Sequence, residues 1–151
     1  MIKQIIRDQY RSKFDQLIDI NRIKTPKEGW IRTLRTALGM SSPQLATRLG
    51  VSKSQASQME RMEMEDRITL KQLRRVAETL NSDLVYALVP RKPVESMICD
   101  RAKQKAKNLV NKTDVQMKLE AQQLSSEQLQ RQIELETERL IKELPRDLWE
   151  D

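Results

Sequence analysis

The chain has 151 residues, 33% of them charged and 3% aromatic, with three glycines, five prolines, one cysteine and no histidine. That composition points to a mainly helical protein with a modest core. It removes imidazole and thiolate metal sites, nucleophile–base pairs and an intrachain disulfide, so neither an enzyme nor a cofactor is expected. The net charge of +6 favours a polyanionic partner. Its placement is uneven: residues 1–90 hold 16 Lys or Arg against 10 Asp or Glu, residues 91–118 hold 8 against 3, and residues 119–151 hold 4 against 9. No continuous apolar run reads as a signal peptide or a membrane span, which leads to the expectation of a cytoplasmic protein with no membrane partner. Cys99 reads as a small apolar helix residue.

From the N-terminus, Ile2, Ile5, Ile6, Tyr10, Phe14, Leu17 and Ile18 recur at spacings of three and four, which predicts an amphipathic helix. Its apolar face could pack on the body of the protein, pair with a second subunit or bind another protein. Thr25-Pro26-Lys27-Glu28 is a start signal, with Thr25 as N-cap, Pro26 at the first helical position and Glu28 closing a capping box. A helix is expected from here to Gly39, burying Trp30, Ile31, Leu34 and Leu38.

Ser41 to Arg61 carries the most informative pattern. Ser41 and Gln44 form a second capping box, Leu45, Ala46 and Leu49 give a short helix its inward face, and Gly50 permits the left-handed backbone that ends it. Val51 fits the hinge, Ser52 can cap the next helix, and Ala56 and Met59 face inward from it. Everything else on that helix is polar. Two short helices about a glycine turn, the second with a polar outer face, describe a helix-turn-helix whose second helix enters the DNA major groove. Gln44-Leu45-Ala46 before Gly50-Val51-Ser52 and Glu60 resembles the Cro and lambda-repressor class. On that reading Lys53, Ser54, Gln55, Ser57 and Gln58 read base edges, while Ser42, Arg48 and Arg61 touch phosphate. The resemblance further implies that Arg35 and Glu60 form an ion pair linking two helices. Where the class usually has a glycine soon after this Glu, the chain reads Arg61-Met62-Glu63-Met64, which leaves the end of the helix open.

Thr69 then reads as the N-cap of a helix with Leu70, Leu73, Val76, Ala77 and Leu80 inside, stopped near Asn81. Leu84 to Val89 is a continuous apolar run ending at Pro90 and predicts one short strand, paired with a second subunit or in a local hairpin. Beyond Arg91-Lys92-Pro93, Val94, Met97, Ile98, Ala102, Ala106, Leu109 and Val110 predict a long helix. Its Arg101, Lys103, Lys105, Lys107 and Lys112 could contact phosphates or form a solvated face. Ser126 is expected to cap a last helix striped by Leu129, Ile133, Leu140, Ile141 and Leu144, and Leu148-Trp149 to anchor the chain's end.

The expected organisation is therefore mainly α: an N-terminal amphipathic helix over 1–24, a lambda-repressor-like helix-turn-helix domain over 25–90 ending in one short β-strand, and a helical C-terminal extension over 91–151. As a set, Gly29-Trp30-Ile31-Arg32, Ala37-Leu38-Gly39-Met40-Ser41, Arg48-Leu49-Gly50-Val51-Ser52, Ile68-Thr69-Leu70 and Val85-Tyr86-Ala87-Leu88-Val89-Pro90 resemble the family called mobile mystery protein A. That resemblance implies a bacterial helix-turn-helix regulator carried beside a gene for a Fic-domain protein, with an antitoxin-like or autoregulatory role. The inhibitory motif of Fic antitoxins, a Ser or Thr followed four residues later by Glu, occurs nowhere in the chain. The expected partners are thus a palindromic double-stranded DNA operator, a second copy in a homodimer, and a Fic-domain protein met through some other surface. The rival expectation is an antitoxin that neutralises a partner enzyme directly, with DNA binding secondary.

Overall fold

The computed structural model describes residues 2–119 and 124–151. Its regular elements among these are α1 (Ile2–Asp15), a 3-10 turn (Ile18–Arg22), α2 (Trp30–Ala37), α3 (Ser42–Leu49), α4 (Lys53–Met64), α5 (Leu70–Thr79), α6 (Val94–Leu119) and α7 (Ser126–Glu143). They gather into two compact units, Ile20–Leu88 on the one hand and Met1–Asp19 with Val89–Asp151 on the other.

In the unit formed by residues 20–88, short helices close on a core of Ile31, Leu45, Leu49, Val76 and Leu80, with Leu34, Met40, Val51, Met59, Ile68 and Leu73 packed around it. The helix starts are set locally. Ser41, Ser52 and Thr69 each accept from the backbone N–H three residues on, and Gln44, Gln55 and Gln72 each reach back to the cap's own N–H. Each reciprocal pair satisfies two of the amides that a helix leaves unpaired at its N-terminus.

The first helix of this unit departs from expectation. It begins at Trp30 rather than near Thr25, because Pro26-Lys27-Glu28-Gly29 closes a turn in which Gly29 N–H donates to the Pro26 carbonyl at 3.0 Å. Starting there, the helix turns Ile31, Leu34 and Arg35 inward. Trp30 stays 49% exposed and Leu38, at the helix end, 54% exposed, so neither belongs to the core. Leu70 is likewise exposed at the first position of α5.

The expected strand does not form: the described residues contain none, and 83–90 run without regular structure. The apolar run is there, but no neighbouring backbone supplies the ladder partners that define a strand. Val85 and Leu88 stand 86% and 82% exposed.

The other unit is built on the antiparallel pair α6 and α7. Ala102 and Ala106 are wholly buried, one helical turn apart, against Leu140 and Leu148, with Ile98, Ile133, Ile141 and Leu144 alongside. Alanine at these positions lets the two backbones approach closely. The cap of α7 is Ser125, one residue before the expected Ser126, because only Ser125 has a glutamine, Gln128, at the spacing that returns the hydrogen bond. Past the left-handed Leu144, the final turn folds back on α6. Arg101 donates to the carbonyls of Leu148 and Glu150, each at 2.7 Å, and Lys105 donates to that of Asp147. Two of the five basic residues expected to meet phosphate or solvent on α6 are therefore engaged within the unit. Trp149 does not anchor the end: it is 61% exposed, with the Arg101 guanidinium 6.0 Å from its ring centroid.

Helix α1 lies against α6 through Arg11, whose guanidinium donates to Glu95 at 2.9 Å, yet buries none of its residues. Its Ile2, Ile5, Ile6, Tyr10 and Phe14 all remain exposed. No helix among the described residues is long and apolar enough to cross a membrane.

Candidate nucleic-acid interface

The candidate site is the outer face of α4 with the start of α3. Its geometry begins with Gly50, at φ 68 and ψ 31, a left-handed conformation that costs an L-residue with a side chain roughly 1–2 kcal/mol. Through that residue the chain reverses, Val51 N–H donates back to the Ala46 carbonyl at 3.0 Å, and Ser52 starts α4 immediately. Arg75 of α5 donates to the Leu49 carbonyl at 2.5 Å, satisfying an end group of α3 that has no partner within the helix.

The small residues Ala46 and Ala56, 3% and 1% exposed, let α3 and α4 cross closely. Four positions of α4 turn toward the rest of the unit: Ala56, Met59, Glu60 and Glu63. Lys53, Ser54, Gln55, Gln58 and Arg61 are all exposed, and Ser57 is half-buried beside α3 with its hydroxyl 3.3 Å from that of Ser42. The sequence-derived base-reading residues thus share the first two turns of a single helix, with Ser54 and Gln58 on the side away from the rest of the unit. Ser42, at the first position of α3, lies beside them. Arg48 is exposed at the last turn of α3 and Arg61 two turns beyond Ser54 on α4.

Two carboxylates fix how α4 presents that face. Glu60 accepts from Arg35 of α2, Nε to Oε1 at 2.6 Å and Nη2 to Oε2 at 3.3 Å, and the same guanidinium donates to the Met40 carbonyl at 2.9 Å. Both side chains are nearly enclosed, 13% and 12% exposed. One turn later, Glu63 caps the N-terminus of α2, accepting from the amides of Trp30 at 2.8 Å and Ile31 at 3.2 Å. Gly29, at φ 83 and ψ 161, offers no side-chain cap of its own, and a Cβ there would collide with the Glu63 carboxylate. Sequence reasoning missed Glu63 entirely. Its signal was negative, a helix preceded by glycine with no polar cap, and nothing local names a partner 33 residues away.

Burial pushes the Glu63 carboxyl above its ordinary range and the nearby Glu60 pushes it the same way, against the lowering effect of the two amide hydrogen bonds. Because the folded pKa is the higher one, the folded chain holds this proton more tightly than the unfolded chain. This group's contribution to stability therefore falls as pH rises from the ordinary glutamate range through the raised value. Denaturation of a Glu63→Gln variant followed from pH 4 to 7 should show it gaining on the native chain as pH rises. A difference that stays flat with pH would remove burial as the controlling effect. Glu63→Ala, which strips the cap altogether, is expected to lower stability by about 0.5–2 kcal/mol.

Charge is concentrated on the same unit. Residues 20–88 hold 12 Lys or Arg against 7 Asp or Glu, which is +5 of the chain's +6. A family model described as helix-turn-helix matches residues 31–86, which runs from α2 through α5 and covers all of the candidate interface. Residues 31–86 are a helix-turn-helix domain. This is the domain class of DNA-binding transcription regulators, and its second motif helix here is α4. No curated protein and no solved structure matches the chain. The match ends at residue 86, in the irregular segment that follows α5, and leaves α1, α6 and α7 outside it.

Proposed function

We propose that the chain is a sequence-specific repressor that reads double-stranded DNA with the exposed face of α4, acting as a homodimer on a palindromic operator. The observation that carries this reading is the arrangement of α4. One face is clamped to α2 through Glu60 and Glu63, and the first two turns leave Lys53, Ser54, Gln55 and Gln58 exposed to solvent. A recognition helix needs both properties, since base edges are read only by side chains held in fixed register. Ser57 contributes from the edge of that face. Ser42, Arg48 and Arg61 hold the flanking phosphates and set the docking register.

The resemblance to mobile mystery protein A supports placing this repressor in an operon with a Fic-domain partner, where it acts on its own promoter as an antitoxin-like autoregulator. The test is binding to the DNA immediately upstream of its own gene against scrambled DNA of equal length, across a salt series. A preference that survives moderate salt supports the reading; equal, salt-sensitive binding to both overturns it. Gln58→Ala is expected to weaken specific binding by about 1–3 kcal/mol while leaving random-DNA binding nearly unchanged. Equal losses on both DNAs would take Gln58 out of the base-reading set.

A second reading is favoured by α1, whose five large apolar side chains are all exposed. It makes the chain an antitoxin that neutralises the Fic-domain protein directly, with DNA binding secondary. Removing residues 2–15 separates the two: a neutraliser loses its partner, and a repressor keeps its operator preference.

A further inference from the structure

The hydroxyl of Ser57 is aimed at α3 and not along its own helix. A hydroxyl on a helix has an acceptor within reach in the carbonyl four residues back, and Thr47 and Thr79 each donate to theirs at 3.0 Å. Ser57 does not. Among the described residues its one side-chain hydrogen bond is the 3.3 Å contact with the Ser42 hydroxyl, which makes no other side-chain contact of this kind itself. Both side chains are half-buried. The pair therefore ties the first residue of α3 to the second turn of α4.

Each hydroxyl has one hydrogen and two lone pairs. One hydrogen lies between the two oxygens, which leaves the accepting hydroxyl with its own hydrogen to give. A phosphate oxygen only accepts, so it is drawn to the residue with more donors to offer. Ser42 brings two: its hydroxyl, and a main-chain N–H at the first position of α3 that has no partner among the described residues. The Ser57 N–H is used inside α4. A phosphate at Ser42 thus takes the Ser42 hydrogen, and Ser57 becomes the donor that holds the Ser42 oxygen in place. Hydrogen bonds chained in this way strengthen one another.

Resting on the proposed docking of DNA against α3 and α4, we infer that Ser57 selects no base and is a positioning residue that acts through Ser42, orienting that hydroxyl toward one backbone phosphate. The phosphate contact of α3 is thereby keyed to the register of α4, the helix that carries the base-reading side chains.

The test uses three full-length proteins: the native chain, Ser42→Ala and Ser57→Ala. Binding sites are first selected from a randomised duplex DNA pool, and the native operator is then made as a series of duplexes, each with one phosphate replaced by an uncharged methylphosphonate. Alanine suits a helix interior, so Ser57→Ala keeps the fold, which its melting temperature checks. Ser57→Ala is expected to select the same sequence as the native chain and to bind operator and random DNA alike about two- to tenfold more weakly, the worth of one hydrogen bond. At one phosphate the methylphosphonate should weaken the native chain more than either variant, and that phosphate should be the same for both. A side chain that only supported the fold would change stability without removing the response at a single phosphate. If Ser57→Ala changes the preferred base at any pair, or keeps the native response at the phosphate that Ser42→Ala no longer senses, the positioning role is wrong. If Ser42→Ala loses its response at no phosphate, the inference fails while base reading by α4 stands. If the native chain enriches no sequence, the reading of DNA by α4 itself fails, and this inference with it.

Discussion

Glu60→Ala is expected to lower the stability of the helix-turn-helix domain by about 3–5 kcal/mol, the range for breaking one partner of an enclosed ion pair. The loss does not come from the attraction alone. Arg35 is only 13% exposed, so water can replace little of what its partner supplied. Of its donors, the Nη1 bond to the Met40 carbonyl would remain, and the two to Glu60 would be left unmade. A domain with total stability of about 5–15 kcal/mol cannot absorb this lightly. The informative control is the double variant Arg35→Met with Glu60→Leu, which removes both charges and fills the space. It should recover most of what either single change loses, because replacing a buried pair by apolar residues is often neutral. Urea denaturation of the native chain, Arg35→Met, Glu60→Leu and the double variant gives the coupling directly. A single-variant loss below about 1 kcal/mol would mean that the pair behaves like a solvent-screened surface bridge.

What the sequence made legible was local. Capping boxes lie within four residues, so Ser41 with Gln44 could be read directly, and Gly50 marked the turn because left-handed backbone has few tolerable residue types. The inward periodicity of Leu45, Leu49, Val76 and Leu80 was equally plain, since each helix sets its own 3.6-residue phase. Where the outcome rested on distant groups, the same reasoning failed. Thr25-Pro26-Lys27-Glu28 has the residues of a helix start, but Gly29 reverses the chain and Glu63 supplies the cap from α4, so α2 begins later and Trp30 moves out of the core. The run from Leu84 to Val89 has strand composition, yet a strand is a relation between two backbones and composition describes one. Of the interface, the exposed polar residues of α4 could be proposed from their pattern. That the Gln55 carbonyl is already engaged, and that Glu63 holds α2, needed coordinates.

The two faces of α4 explain one another. Reading a base edge requires a side chain held to within about 0.5 Å, which a helix free to rotate about its axis cannot provide. Ala56 and Met59 give α4 contact without direction, because apolar packing tolerates small rotations. Glu60 and Glu63 give direction, since each must meet donors at fixed points on α2: the guanidinium of Arg35 and the amides of Trp30 and Ile31. Side chains three residues apart on α4 thus fix its rotation, and Gln55 and Gln58, also three apart, inherit that register on the outside.

In the α6–α7 unit the largest single loss is expected at Leu148. Its side chain is 1% exposed and packs with Ala102, Ala106 and Leu140, where neither alanine has a side chain long enough to replace it. Leu148→Ala should therefore leave most of its volume empty and lower stability by about 2–5 kcal/mol, toward the upper part of that range if the site cannot collapse. The final turn is otherwise held by donors from α6: Arg101 to the Leu148 and Glu150 carbonyls, and Lys105 to that of Asp147. Those bonds keep their geometry only while Leu148 keeps the turn seated. The variant should accordingly melt earlier and also expose its last residues to protease below the melting temperature. Trp149→Ala is the matched comparison. That ring is larger and adjacent in sequence, but it is 61% exposed, with the Arg101 guanidinium 6.0 Å from its centroid, so its removal should change stability by less than about 1 kcal/mol. If Trp149→Ala proves the more damaging of the two, the chain's end is held by its aromatic ring rather than by the leucine beneath it.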